Sequence, residues 1–111
     1  MQLSVYERKD EDGRLYYGRQ YILPIGRVDI LATDTDGNLY VIELKKDSGY
    51  GDAYTQTLSY VDWIEKNMNK DSKKVFGIIC LNNPSERLIV DVRTNPQMRL
   101  YEYSISYSEV L

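Results

Sequence analysis

Apolar and polar positions alternate through most of the first half of the chain, and the alternation breaks wherever Gly, Pro, Asn and Asp gather. Residues 2–8 and 14–23 read as strands around Lys9-Asp10-Glu11-Asp12-Gly13, which predicts an N-terminal hairpin. Pro24 and Gly26 interrupt the chain before another strand at 27–33. Asp34-Thr35-Asp36-Gly37-Asn38 then turns into a strand at 39–46, giving a second hairpin. After the loop Ser48-Gly49-Tyr50-Gly51 the period changes. Tyr54, Leu58, Val61, Ile64 and Met68 recur at spacings of three and four, predicting a helix from a cap at Asp52 to Met68 or Asn69. An adjacent stripe holds Ala53, Gln56, Tyr60 and Trp63, a face with polar reach.

Residues 75–81, VFGIICL, are continuously apolar, as expected for a central strand covered on both faces. Asn83-Pro84-Ser85-Glu86 reads as a helix start, with Asn83 as cap and Pro84 in first position, and the helix should end near Thr94 before Pro96. Tyr101, Tyr103, Ile105 and Tyr107 alternate with Glu102, Ser104 and Ser106, predicting a last strand with one apolar face. This order of elements predicts an α/β domain with a mixed central β-sheet flanked by helices.

The second hairpin decides which side chains meet. A two-residue Asp36-Gly37 turn would set Asp29 opposite Leu44 and leave Asp29 and Glu43 on opposite faces. A three-residue loop, Thr35-Asp36-Gly37, pairs Asp34 with Asn38 and Asp29 with Glu43, with Gly37 in the left-handed position. The apolar pattern favours the second register, since it pairs Val28 with Leu44, Ile30 with Ile42 and Ala32 with Tyr40 as the face for the core. Asp29 and Glu43 then share the other face, with Lys45 diagonal to them, Arg27 opposite Lys45, and Leu31 and Val41 toward the turn. Two adjacent carboxylates repel, and a shared Mg²⁺ or Mn²⁺ removes that conflict. A lysine beside them can orient a water or stabilise charge, so the constellation suits phosphodiester hydrolysis.

Composition narrows the chemistry. The chain has 111 residues, the size of one domain, and no apolar run long enough to span a bilayer. It has no histidine, which excludes Ser-His-Asp triads, histidine general bases and His-metal finger nucleases. Its single cysteine, Cys80, lies in the apolar run and reads as a buried, inert thiol. With no signal-peptide pattern after Met1, these features suggest a cytoplasmic protein with no membrane contact. The net charge of −3 argues against strong nonspecific nucleic-acid binding, an objection that a bound cation offsets. A calcium loop across Asp34-x-Asp36-Gly37 and Glu43 is rejected, because its first position would be Ala32. Tyr50 and Tyr54 are the better candidates for stacking, and Lys66, Lys70, Lys73 and Lys74 read as a solvated helix end.

Asp29 followed at a hairpin's distance by Glu43-Leu44-Lys45 resembles the D…ExK signature of the PD-(D/E)XK nuclease superfamily. Gln56-x-x-x-Tyr60 resembles the QxxxY element of its RecB-like branch. Gly26-Arg27-Val28-Asp29, Asp34, Gly37 and Val41-Ile42-Glu43-Leu44-Lys45 are most similar to the nuclease domain of NucS-type endonucleases, over about residues 19–63. The resemblance implies a restriction-endonuclease-like fold and a DNA endonuclease of repair or defence. It places Asp29, Glu43 and the Leu44 carbonyl on Mg²⁺ or Mn²⁺, Lys45 at the attacking water, and Gln56, Tyr60 and Arg27 on the substrate. Such domains commonly open with a helix where this chain has strands, so residues 1–111 would be a trimmed or minimal version. The DNA could be single-stranded, branched or duplex, and the active form a homodimer or larger nuclease assembly. The rival readings are a noncatalytic nucleic-acid-binding or assembly module on the same fold, and an interaction domain pairing through the tyrosine-bearing last strand.

Overall fold

The computed structural model describes residues 2–46, 52–68, 73–103 and 108–110. The N-terminal hairpin is present, but each of its arms is broken in two: β1 (Ser4–Val5) and β2 (Glu7–Lys9) ascend, β3 (Leu15–Tyr17) and β4 (Arg19–Leu23) return. β2 and β3 pair only with each other, whereas β1 and β4 both run antiparallel along β5 (Gly26–Thr33). The break falls at Tyr6 and Gly18. Gly18 N donates to Tyr6 O, Leu31 N donates to Gly18 O and Tyr6 N donates to Leu31 O, at 2.7, 2.7 and 2.9 Å. The tip of the hairpin is held by Asp10, whose Oδ1 accepts from the backbone of Asp12 and Arg14.

β5 and β6 (Leu39–Leu44) pair with Ile30 opposite Ile42, Leu31 opposite Val41, Ala32 opposite Tyr40 and Thr33 opposite Leu39. Asp34 N donates to Asn38 O, so Thr35, Asp36 and Gly37 form the expected three-residue loop, with φ of 86° at Gly37. The Asp34 carboxylate ties the turn together. Its Oδ1 accepts from Asp36 N and Asn38 N, and its Oδ2 from the Asn38 amide and the Tyr40 hydroxyl. These bonds, the Asn38 side chain foremost, hold its carboxyl below the usual carboxylate range.

The remaining elements are α1 (Asp52–Asn67), β7 (Val75–Leu81), α2 (Glu86–Arg93) and β8 (Met98–Glu102). β7 lies parallel to β6 and β8 parallel to β7, so the sheet is mixed, as expected. Ala53, Tyr60, Val61 and Ile64 of α1 and Leu88 and Val92 of α2 share one buried cluster with Leu31, Val41, Ile79 and Leu81. Both helices therefore cover one face of the sheet. The other face carries Ala32, Tyr40 and Ile78 with Ile30, Ile42, Phe76 and Cys80 half-buried around them.

This corrects the predicted core face. Leu31 and Val41, not Ile30 and Ile42, lie beneath the helices, and Glu43 is buried with them. Both faces of the hairpin are apolar, so alternation alone did not distinguish them. Val28 also enters the main core, while Leu44, its predicted partner, is 52% exposed. Val28 and Leu31, three residues apart, both reach the main core; the β4–β5 register stays constant across this stretch, and the backbone departure beside it is the positive φ of Gln20 on β4.

The buried stripe of α1 is Ala53, Thr57, Tyr60, Val61 and Ile64, with Tyr54, Leu58, Trp63 and Met68 at its margins. It is rotated from the predicted stripe because Ala53 and Thr57, poor hydrophobic signals, fit closest to the sheet. The cap of α2 is Ser85, whose hydroxyl accepts from Leu88 N, not Asn83. Asn83 instead takes a left-handed turn position at φ 56°, which asparagine tolerates. β8 begins earlier than predicted, at Met98; the 48–51 loop, the Asp52 side chain, Ile105 and Tyr107 lie outside the described residues.

Candidate active site

The site forms where β5 and β6 part. Their ladder runs to Ile30 and Ile42, and the next step would bring Asp29 opposite Glu43. Instead of a backbone pair, Asp29 Oδ2 accepts from Leu44 N at 2.9 Å, so the aspartate is fixed across the gap by β6 itself. Glu43, on the same stretch of β6, is only 2% exposed, and its Oε1 has no hydrogen-bond partner. Burial pushes its carboxyl up to about 7, and the neighbouring Asp29 charge adds to the rise while Lys45 opposes it. The two acids are neighbours, close enough for Asp29 to act on the Glu43 carboxyl, but without the directly opposed backbone pair that the predicted register called for.

A buried, unpartnered carboxylate oxygen beside a second carboxylate is costly in isolation and matches the oxygen donor set of a hard divalent cation. Among the described residues no third His, Cys, Asp or Glu side chain joins them. Further ligands to a cation held there would have to be backbone oxygen, water or substrate, a set that a small hard divalent cation accepts.

Lys45 follows at the end of β6. Its backbone is pinned on both sides, with N donating to Cys80 O at 2.9 Å and O accepting from the Tyr103 hydroxyl at 2.8 Å. Its Nζ donates to Gln56 Oε1 at 3.1 Å, and Gln56 Nε2 donates to the Tyr60 hydroxyl at 3.3 Å. Gln56 and Tyr60 stand one turn apart on α1, the spacing that lets them touch. Tyr60 is buried against β5 at Gly26, where a Cβ would come within 2.4 Å of its hydroxyl. The glycine, at φ 155°, is what lets the tyrosine reach this position.

Four of the predicted side chains, Asp29, Glu43, Lys45 and Gln56, with Tyr60 behind them, are thus assembled. Arg27 is exposed and registers opposite Ile22 of β4; no hydrogen bond or ion pair joins it to the acids or Lys45 among the described residues. Tyr54 donates no stacking face, since it packs against the main core and its hydroxyl accepts from Asn95; Tyr50 lies outside the described residues. Two features were not foreseen. Tyr103 anchors the lysine carbonyl, for which its alternation with polar residues was the only signal, and Gln20 faces Asp29 from β4 with a positive φ of 50°.

A mixed sheet with an acid pair and a lysine at the end of one strand, backed by a glutamine and tyrosine from the crossing helix, has the fold of known repair endonucleases. It superposes on the crystal structure of a repair endonuclease from Pyrococcus abyssi with a TM-score of 0.66 and 25% identity, over 77% of this chain and 36% of that one. It likewise matches the structure of an EndoMS–dsDNA complex with a TM-score of 0.59 and 26% identity, over 81% of this chain and 36% of that one. Residues 9–95 match the endonuclease NucS C-terminal domain, and the chain belongs to that family. It spans about a third of the length of those two relatives. Comparison with curated proteins found no match. Among the described residues no helix is long and apolar enough to cross a membrane.

Proposed function

We propose that this chain is the nuclease domain of a DNA-repair endonuclease and hydrolyses phosphodiester bonds with the help of Mg²⁺ or Mn²⁺. The observation that carries the reading is Glu43, a buried carboxylate with an unpartnered oxygen beside Asp29, and Lys45 held within the same cluster. Membership of the NucS C-terminal domain family, and a relative solved with double-stranded DNA, support DNA as the substrate.

Asp29 and Glu43 would hold the cation. Leu44 N–H points to Asp29, and in an extended strand the carbonyl of the same residue points to the same neighbour, which makes Leu44 O the backbone candidate. A divalent cation bound there lowers the pKa of water and offsets charge gathering on the phosphate. Lys45 Nζ orients the attacking water by a hydrogen bond and adds positive charge facing the scissile phosphate. Gln56 holds that ammonium, and Tyr60, at 4% exposure, acts through Gln56 as a positioning residue. Arg27, two residues before Asp29 and exposed, is available to a phosphate of the substrate.

The test is incubation of the purified chain with circular single-stranded and supercoiled duplex DNA in Mn²⁺ or Mg²⁺. Cleavage should be lost with EDTA and in Glu43→Gln, and fall by about 10²–10⁴-fold in Lys45→Ala. A folded wild type that cuts neither DNA, or cuts as fast as Glu43→Gln, would contradict the proposal.

A further inference from the structure

Gln20 holds a backbone conformation that glycine would adopt without strain. Among the described residues only Gln20 and Asn83 carry a side chain at positive φ, and asparagine is at home there while glutamine is not. Its position in the register is specific. Arg19 pairs with Ile30 and Tyr21 with Val28, so Gln20 falls opposite Asp29, one residue beyond the last β5–β6 pair, Ile30 with Ile42. An open groove begins at that point, lined by Arg19, Gln20, Asp29, Ile30 and Leu44. One bank of it is an acid of the candidate site, and the other is a guanidinium and an amide. Arg19 and Gln20 are exposed, and Arg19 makes no salt bridge with a described residue.

The groove leads away from Lys45. That lysine is held by Gln56 of α1, whereas Arg19 belongs to β4, on the opposite side of β5, and Ile30 belongs to the sheet face without helices. A polyanionic strand crossing the acids would therefore leave them past Arg19. In a chain of net charge −3, a local cation beside two carboxylates is needed to hold such a strand.

We propose that Arg19 and Gln20 form a phosphate clip that grips the strand being cut at a phosphate adjoining the scissile one, a role that rests on the nuclease reading above. The Arg19 guanidinium can donate two hydrogen bonds to one phosphate, and the Gln20 amide a third. The strained backbone at Gln20 is retained because it aims that amide into the groove.

The experiment measures fluorescence anisotropy of labelled single-stranded and duplex oligonucleotides over a salt series, with Ca²⁺ in place of Mg²⁺, for the wild type, Arg19→Ala, Arg19→Lys and Gln20→Gly. Arg19→Ala should weaken binding about tenfold and reduce the slope of log affinity against log salt by about 0.7 for single strands or 0.9 for duplex. Arg19→Lys should restore the slope and part of the affinity. Gln20→Gly should bind several-fold more weakly and yet resist urea as well as the wild type or better. In cleavage both changes should raise KM with kcat largely kept. Wild-type affinity and salt slope in Arg19→Ala and Gln20→Gly would overturn the clip, and cleavage abolished by Glu43→Gln in the same preparation would leave the nuclease reading standing. A wild type that binds no DNA would overturn both.

Discussion

At the scale of single residues, Glu43 is out of keeping with its surroundings unless something binds it. It stands beside Ile79 of β7, 2% exposed, with one oxygen unpartnered and Asp29 repelling its charge. The metal-free chain should register this conflict. Folding raises the Glu43 carboxyl from its ordinary 4.5 to about 7, so the folded state keeps a proton that the unfolded state has lost. The contribution is fully present below about 4.5 and is lost as pH rises through about 7. Urea denaturation in EDTA should therefore show stability falling across that interval. Glu43→Gln should flatten the profile and be more stable at pH 8 by on the order of 2 kcal/mol. The main residues of the site were legible because their chemistry is tied to spacing: Asp29, Glu43, Lys45, Gln56 and Tyr60 stand in an order that a hairpin and a following helix bring together. Gln20 and Tyr103 were not, since a backbone twist at a glutamine and a long-range bond to a carbonyl leave no local pattern.

At the scale of elements, the β5–β6 hairpin is the part the site depends on. Asp34, Gly37 and Asn38 set a three-residue loop, and that loop fixes the register whose next step beyond Ile30 and Ile42 is Asp29 and Glu43. A one-residue change of register would send the two acids to opposite faces. Gly37→Val puts a branched side chain at φ 86° and should cost about 1–2 kcal/mol in urea denaturation, with Mn²⁺ affinity reduced as well. The turn was readable in advance because its residues carry their own geometric preference. The face was not. Ile30, Leu31, Val41 and Ile42 are equally apolar, and only the arrival of α1 and α2 on one side distinguishes Leu31 and Val41 from their neighbours. The start of α2 shows a similar competition. Asn83 and Ser85 can both cap a helix, and the left-handed turn before Pro84 uses Asn83, leaving Ser85 to receive Leu88 N.

At the scale of the whole molecule, both helices cover one face of a mixed sheet, and the candidate site opens at the end of β6 where β5 diverges. α1 buries its inner stripe under the sheet and presents Gln56 at its edge, so the element that completes the core also supplies the hold on Lys45. The same divergence exposes Asp29 to the groove bordered by Arg19 and Gln20. The fold therefore sets Asp29 and Glu43 between Lys45 and the groove bordered by Arg19 and Gln20, in a chain that belongs to the endonuclease NucS C-terminal domain family. The most direct measurement of the central claim is calorimetric titration of Mn²⁺ into the wild type, Glu43→Gln and Lys45→Ala at pH 8. The wild type should bind, Glu43→Gln should lose at least about tenfold in affinity, and Lys45→Ala should bind at least as well as the wild type. Equal Mn²⁺ binding by the wild type and Glu43→Gln would show that the buried acid pair is not a metal site.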